Sequence, residues 1–284
     1  MNNNLTAPLN KIIKFSNVDG PGNRMAIFFQ KCNFNCKYCH NPETINICGK
    51  CGACVEACPT GALKKVNEEL FWDLKKCIDC DECIKKCSRN SSPKVKDVTV
   101  EDLMKEIKKV KPFIKGITVS GGESTLQYEF LTELFKEVKN QWPDLTCFVD
   151  TNGSLDFQDE RVTEFLKITD YFMLDVKAWY KEEHLDLIGK DNKIVISNLK
   201  YLIEIGKLYE VRTVVVPELL SNEAIIENVS KIIGDKDIRY KLIKYRAIGV
   251  RDNLKNGMFT PTQEYMEKLE KIAQDNKVKS TLII

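Results

Sequence analysis

The apolar residues of this chain follow two different spacings, and together they predict a repeating order of strands and helices. Short apolar runs, the first of them at residues 25–29, indicate buried strands. Between these runs, apolar residues three or four positions apart indicate amphipathic helices. The predicted strands are residues 25–29, 117–119, 145–149, 171–174, 209–216 and 241–245.

Two of the predicted helices have recognisable starts. Thr99 followed by Asp102 predicts the start of one helix, and Thr260-Pro261 with Gln263 predicts the start of the last. Two apolar faces are predicted, at Val100, Leu103, Met104, Ile107 and Val110 and at Phe130, Leu131, Leu134, Phe135 and Val138. Repeated strand-helix units imply an α/β fold with a parallel sheet, and about six of them predict a partial (β/α)6 TIM-like barrel.

Charge and hydropathy exclude several classes of partner. The 284 residues carry 43 Lys and Arg against 41 Asp and Glu, so no strong field favours nucleic acid or a membrane surface. No apolar run approaches the ~20 residues that span a bilayer, and residues 1–10 lack the apolar core of a signal peptide. We therefore expect a cytoplasmic monomer that has one large domain and a small insert.

The twelve cysteines are the most unusual feature of the composition. In a chain of this size without a predicted export signal, they indicate metal binding rather than disulfides. Eleven fall between Cys32 and Cys87, whereas Cys147 lies alone in a predicted strand. We expect Cys147 to be a buried, inert thiol.

The loop after the first predicted strand contains Cys32, Cys36 and Cys39 at Cys-x3-Cys-x2-Cys spacing. Three thiolates from one short loop can hold three corners of an iron-sulfur cubane and leave the fourth iron without a protein ligand. The alternative is a zinc ion closed by His40, but a histidine adjacent to the last cysteine fits zinc spacing poorly.

Two further cysteine quartets are predicted in residues 41–91, which we interpret as a ferredoxin-like insert between barrel segments 1–40 and 92–284. Both have x2-x2-x3 spacing, and in the bacterial ferredoxin run the fourth cysteine binds the other cluster. We assign one [4Fe-4S] centre to Cys48, Cys51, Cys54 and Cys87, and the other to Cys58, Cys77, Cys80 and Cys83. Zinc remains the alternative. Ser88 replaces the proline expected in the second half, and the insert is small enough that its clusters must fold it.

Polar residues follow the predicted strands at the end where barrels carry their chemistry. Gly121-Gly122-Glu123 follows the second strand and is either a ligand-binding turn or a simple one. Asp150 and Asp175, at the ends of the third and fourth strands, are either site residues or helix caps. Arg212 lies inside an apolar strand, so its side chain either points outward or meets an anion, and His184 is predicted on a helix surface.

The cysteine loop resembles the signature of the radical S-adenosylmethionine (SAM) enzymes. Across residues 11–284 the pattern most closely resembles the activating enzymes of glycyl radical enzymes, and within them the YjjW-type group with a two-cluster insert. In this family the open iron binds SAM, so the resemblance implies SAM as cofactor. Together with the two quartets, the loop predicts three [4Fe-4S] clusters in the chain. Tyr38 occupies the aromatic position of the loop, and Gly121-Gly122-Glu123 resembles the motif for the SAM amino group.

The resemblance also implies a monovalent cation beside the SAM carboxylate. Asp150 and Asp175 would hold it, with backbone oxygens from Thr151 and Met173, since hard oxygen ligands suit such an ion. The remaining residues of the implied SAM site are Lys177, Arg212 and Arg246. Arg246 departs from the family, which has histidine there.

Two further positions bear on the partner that the resemblance implies. Asp19, in a Val-Asp-Gly-Pro-Gly stretch, matches an aspartate where the substrate polypeptide binds. Lys31 precedes the first cluster cysteine, where these activases usually have glycine.

The function that the resemblance implies is activation of a partner glycyl radical enzyme. A flavodoxin or ferredoxin would supply electrons, SAM would be cleaved, and hydrogen would be abstracted from a backbone glycine of the partner. Two alternatives stay open: a radical SAM enzyme acting on a small molecule or RNA, and a non-catalytic iron-sulfur electron carrier.

Overall fold

A computed structural model describes residues 5–284, and a nine-stranded sheet lies at its centre. The first four residues of the predicted barrel segment therefore lie outside the described residues. The strands are β1 (Thr6–Ser16), β2 (Arg24–Phe29), β3 (Leu63–Val66), β4 (Glu69–Trp72), β5 (Lys96–Thr99), β6 (Gly116–Gly121), β7 (Thr146–Thr151), β8 (Tyr171–Asp175), β9 (Leu208–Val215), β10 (Arg239–Lys244) and β11 (Ser280–Ile283).

Helices connect successive strands of this sheet. The α-helices are α1 (Glu82–Lys85), α2 (Val100–Val110), α3 (Tyr128–Gln141), α4 (Thr163–Ile168), α5 (Lys181–Ile188), α6 (Lys193–Glu204), α7 (Asn222–Ile233) and α8 (Gln263–Asp275). Short 3₁₀ helices span Pro42–Thr44, Lys111–Phe113, Ser124–Gln127, Glu160–Val162 and Asp252–Leu254. Within residues 5–284, none of the helices combines the length and the apolarity that crossing a lipid bilayer requires.

The strand order is β11-β10-β9-β8-β7-β6-β2-β1-β5, and the α/β prediction is confirmed. All six predicted strands are present and parallel, and β11 adds a seventh parallel strand beside β10. Strands β1 and β5 are antiparallel additions that were not among the predicted strands. Among the described residues β5 and β11 each have one neighbour, so the sheet stays open at both edges.

The predicted helix faces form much of the core. Every residue of the predicted α3 face is buried, as is the α2 face except for the half-buried Val100. Each fully buried large aliphatic or aromatic side chain contributes about 1.5–3 kcal/mol. The predicted cap of α2 is confirmed, since Thr99 and Asp102 form a reciprocal capping box. The predicted start of α8 was wrong by two residues, because Thr262 and not Thr260 accepts the capping bond, from the Tyr265 N–H.

The cysteine-rich segment carries a small sheet of its own, formed by β3 and β4. The two strands are joined by Asn67 and Glu68, both with positive φ, which is the geometry of a type I′ hairpin. The buried core of this segment consists of Cys54, Leu63 and Cys83. Two of the three residues in this core are cysteines. The domain boundaries at residues 41 and 91 stay a prediction.

Candidate functional site

A cavity of about 270 Å³ lies at the carboxyl ends of strands β2, β6, β7 and β8. Parallel strands bring their carboxyl ends to one edge, so residues far apart in sequence meet there. Predicted site residues that line this cavity are Asp19, Cys32, Cys36, Tyr38, Cys39, Gly121, Gly122, Glu123, Asp150, Thr151, Asp175 and Lys177. Three others, Met173, Arg212 and Arg246, are not among its lining residues.

The loop that carries Cys32, Cys36 and Cys39 is held by distant parts of the chain. The Lys37 N–H donates to the Leu187 carbonyl at the end of α5 (3.0 Å). From the other side, Arg251 donates to the Cys36 carbonyl (2.9 Å) and to the Asn35 side chain (2.7 Å). The loop conformation is therefore set by the barrel and not by the loop alone.

The three thiols lie in an environment that opposes free thiolates. Burial raises the pKa of Cys32 to about 12 and that of Cys36 to about 11, and it raises the pKa of Cys39 as well. A positively charged partner is needed to hold all three as thiolates at neutral pH. Soft sulfur ligands favour iron-sulfur clusters, so the donor set fits one.

Zinc has less support at this position. Within residues 5–284, no three His, Cys, Asp or Glu side chains are arranged to hold a single metal ion. The ligands of a cubane sit one on each iron corner and are spread more widely. His40 lines the same cavity, but its buried Nε2 has no hydrogen-bond partner within residues 5–284.

The backbone before the first cysteine has the conformation that favours glycine. Lys31 has φ +85°, which explains why glycine is expected there. Its carbonyl accepts the Glu123 N–H (2.9 Å). A Cβ on Gly122 would lie 2.4 Å from the same carbonyl, so only glycine permits this approach.

Glu123 links the ends of β6 and β7. Its Oε1 accepts hydrogen bonds from the Thr125 hydroxyl (2.5 Å) and the Thr151 hydroxyl (2.7 Å), and its Oε2 accepts the Asn152 N–H (2.7 Å). Burial raises the pKa of this carboxyl, while these bonds oppose the rise. The carboxylate therefore has a structural role in addition to lining the cavity.

Arg212 points into the barrel, which decides between the two orientations left open by the sequence. Its guanidinium donates to Asp150 (2.8 Å) and to the buried Glu210 (2.5 Å), and it contacts the Met173 sulfur (3.1 Å). Burial would lower the pKa of Arg212, but the two carboxylates raise it above its usual value. The anions that pair with Arg212 are therefore the carboxylates of Asp150 and Glu210 in the protein itself.

Asp150 and Asp175 stand at the ends of adjacent strands. Burial raises the pKa of Asp150 to about 6, against the opposing attraction of Arg212. Asp175 forms an ion pair with Lys177 (2.7 Å). Burial would lower the pKa of Lys177, but this carboxylate keeps it well above the usual value. The cavity wall therefore presents acidic and basic groups side by side.

The positions of Asp19 and Arg246 differ. Asp19 lines the cavity, and its carboxylate accepts a hydrogen bond from Ser16 (2.6 Å). Arg246 is exposed on the loop after β10 and does not line the cavity, so its assignment to the SAM site has no geometric support.

Two smaller cavities in the cysteine-rich segment each bring four cysteines together. One is lined by Cys48, Cys51, Cys54 and Cys87, which we call the first quartet. The other is lined by Cys58, Cys77, Cys80 and Cys83, the second quartet. The fourth cysteine of each motif lies in the cavity of the other motif, which is the exchange that the sequence pattern predicts.

The two motifs repeat each other in backbone conformation. The left-handed positions Lys50 (φ 52°) and Gly52 (φ 86°) of the first correspond to Asp79 (φ 52°) and Asp81 (φ 59°) of the second. Each fourth cysteine also accepts a backbone N–H at its sulfur from the residue four positions later, at 3.2 Å in the first motif and 3.5 Å in the second. The internal repeat is therefore structural as well as sequential.

Sequence reasoning missed or misplaced several residues. His184 is fully buried on α5 and packs edge-on against Phe34 of the cysteine loop, so its predicted place on a helix surface was wrong. Asn152 approaches the Cys32 sulfur (3.8 Å), and Arg251 and Glu210 hold site residues. A buried charge in an apolar strand was a usable signal for Glu210, as it was for Arg212. Cys147 is buried, as predicted.

Comparisons with known proteins agree with this geometry. Residues 26–229 match the family model described as the Radical SAM superfamily. The chain is 28% identical to a putative glycyl-radical enzyme activating enzyme of Haemophilus influenzae over 98% of this chain and 96% of that protein. It is 30% identical to the pyruvate formate-lyase 1-activating enzyme of Escherichia coli over 90% and 91%. The fold resembles that of QueE from Escherichia coli, with a TM-score of 0.55, 13% identity and coverage of 99% and 94%.

Proposed function

The chain belongs to the radical SAM superfamily, and from this membership we infer that it activates a partner glycyl radical enzyme. The family implies a [4Fe-4S] cluster and SAM. The observation that carries the inference is similarity to activating enzymes over nearly the whole chain, together with three thiols in one cavity at the barrel edge. The similarity favours an activase over a small-molecule or RNA enzyme, and the three thiols in the cavity favour a catalytic site over an electron carrier.

Cys32, Cys36 and Cys39 would hold the cluster, since they line the main cavity and their buried thiols need a cationic partner. When bound, the cluster supplies one electron to the sulfonium of SAM, which breaks a carbon-sulfur bond and gives methionine and a 5′-deoxyadenosyl radical. The protein contributes orientation and exclusion of water. Tyr38 is buried in this wall and contributes to the cavity surface, and its hydroxyl has no hydrogen-bond partner in the described part of the chain.

The polar wall opposite the cysteines suits the amino-acid end of SAM. Glycines at 121 and 122 let the backbone approach closely, and Glu123 offers a carboxylate for an ammonium group. Lys177 lines the cavity and would meet the SAM carboxylate. Arg212 is not among the lining residues, so it would meet the SAM carboxylate only by exchanging its contact with Asp150. Arg246 would join them only if its exposed loop moved.

We also propose a monovalent cation in this wall. Asp150 and Asp175 end adjacent strands, and Thr151 and Met173 are backbone neighbours in those strands. Oxygen ligands of this kind suit a hard cation. The burial of Asp150 that raises the pKa of its carboxyl would be offset by such an ion.

The two quartets would hold two further [4Fe-4S] clusters, which makes three in the chain. The exchanged fourth cysteines support this assignment, because this arrangement is the ferredoxin one. We propose that a flavodoxin or ferredoxin reduces the protein through them or at the main cavity directly.

The partner's glycine loop would enter at the main cavity. Asp19 lies in its wall on the turn before β2, where it could bind a peptide N–H. The radical would then abstract a hydrogen atom from the backbone glycine, which leaves 5′-deoxyadenosine and a glycyl radical.

The test uses anaerobically reconstituted protein, dithionite, SAM and a candidate partner that carries a C-terminal glycyl radical motif. We expect 5′-deoxyadenosine and a glycyl radical signal in the partner, both lost in Cys32→Ala and both kept in Cys147→Ala. Deoxyadenosine without a glycyl radical would favour a small-molecule or RNA substrate. Full SAM cleavage by Cys32→Ala would contradict the site assignment.

A further inference from the structure

Trp72, the last residue of β4, lines the cavity of the second quartet. Its indole Nε1 is inaccessible to solvent and has no hydrogen-bond partner among the described residues. An indole N–H can only donate, and a buried donor without an acceptor costs about 1–3 kcal/mol. The Trp72 N–H would therefore be stabilised by a hydrogen-bond acceptor that the described residues do not provide.

The strand presents different residues to the two cavities. Leu70 lines the first quartet's cavity and Trp72 lines the second. Residues two apart on a strand share a face, so β4 gives one quartet an apolar neighbour and the other an N–H donor. This is a difference between two sites that otherwise repeat each other.

Local contacts hold the Trp72 ring in place. Trp72 is paired with the buried Leu63 across the hairpin, and the Asp73 N–H donates to the Ala62 carbonyl just beyond it (2.8 Å). The Lys96 ammonium lies over the ring, 5.2 Å from its centroid. A cation over the indole withdraws electron density and strengthens its N–H as a donor.

Lys94 also lines this cavity, but its ammonium group already has hydrogen-bond acceptors. The Lys94 ammonium donates to Asp79 and Asp81, at 2.9 Å in each case. Thr60 has its hydroxyl beside the Cys58 sulfur (3.7 Å). Trp72 thus supplies the buried donor of this cavity that lacks an acceptor.

We propose that the Trp72 Nε1–H donates a hydrogen bond to a sulfur of the second quartet's cluster and raises the reduction potential of that cluster. The inference rests on the two insert clusters proposed above. A donor to sulfur stabilises the more negative, reduced cluster, and hydrogen bonds to the sulfurs are a known control of potential. Loss of this donor should therefore lower the reduction potential of the second quartet's cluster.

The test is a redox titration of reconstituted protein, followed by electron paramagnetic resonance. Trp72→Phe keeps an aromatic ring and removes the N–H, and Trp142→Phe, at the end of α3, is the matched control. At the potential where the wild-type second cluster is half reduced, we expect its reduced-to-oxidised ratio to fall about threefold to tenfold in Trp72→Phe. The first cluster and the Trp142→Phe protein should be unchanged.

A second measurement detects the hydrogen bond itself. In wild-type protein labelled with ¹⁵N-indole tryptophan, hyperfine spectroscopy should detect a ¹⁵N coupling to one reduced cluster, and Trp72→Phe should remove it. Twelve irons per chain, with neither coupling nor a shifted ratio, would overturn the role of Trp72 alone. About four irons in the wild type would instead overturn both the insert clusters and this inference.

Discussion

The cysteine loop of the barrel and the quartets of the insert are held in different ways. The loop is fixed by partners more than a hundred residues away, such as Leu187 and Arg251. The quartets are fixed by near neighbours, with Lys94 joining Asp79 and Asp81 and a hairpin of two short strands. The barrel loop therefore depends on a large apolar core, while the insert has almost none.

The barrel fold alone holds the cysteine loop in place, whereas we propose that the two quartets need bound clusters to hold their segment in place. Three buried residues, two of them cysteines, cannot offset the entropy of ordering some fifty residues. In the proposed assignment, the barrel loop can leave one iron corner free of protein ligands because the loop does not need a fourth ligand for stability. The two quartets would instead use all four corners of their clusters for folding.

The largest expected effect is that of iron removal. In the apoprotein, backbone amides of β3 and β4 should exchange with deuterium at least about a hundredfold faster than in reconstituted protein, because cluster binding supplies the folding free energy. Amides of β6 and β7 should keep their protection. Equal protection of the hairpin in both forms would show that the insert folds without metal.

Removal of a buried charge should affect the barrel next most strongly. Arg212→Met leaves Asp150 without its cation and should lower the free energy of unfolding by about 3 kcal/mol. Arg161→Met removes a solvent-exposed ion pair to Asp159 and is the control, with a much smaller expected loss because water screens this pair. Similar losses in urea unfolding of the two variants would mean that the Arg212 network does not hold the site.

Lys94→Gln should affect only the second quartet. Without the ammonium, Asp79 and Asp81 repel each other in left-handed conformations that cost about 1 kcal/mol each. Iron should fall from about twelve to about eight per chain. Adding Asp81→Gly to this variant gives the second motif the glycine that the first motif has at Gly52, and it should restore most of the lost iron. Lys50→Gln, at the first motif, should lower the iron content less than Lys94→Gln does. An unchanged iron content in Lys94→Gln would show that Lys94 is not needed to hold the second quartet.

The smallest expected effect concerns pH. Burial lowers the pKa of His184 below its usual 6.5, so the unfolded chain binds its proton first as the pH falls. The contribution of His184 is complete above about pH 6.5 and is lost as the pH falls toward its folded pKa. Between pH 8 and 6, His184→Gln should flatten the fall in unfolding free energy by up to about 1 kcal/mol. An unchanged slope would exclude this residue as a source of acid sensitivity.

Local patterns predicted the alternating strands, the Thr99 cap and the exchange of fourth cysteines, because each depends on spacing within a short segment. Contacts between distant segments were not predictable in this way. His184 was assigned to a helix surface because nothing in its own helix shows that Phe34 covers it. The pairing of Arg212 with Asp150 and Glu210 depends on strand register, and β1 and β5 depend on an edge that only the folded sheet provides.

The most direct test of the central claim is the spectrum of reduced, fully reconstituted protein before and after addition of SAM. We expect SAM to shift the paramagnetic signal of one cluster, held by Cys32, Cys36 and Cys39, while the signals of the two insert clusters stay the same. Cys32→Ala should show the two unchanged signals only. A reduced spectrum that SAM leaves unaltered in the wild type would contradict the account.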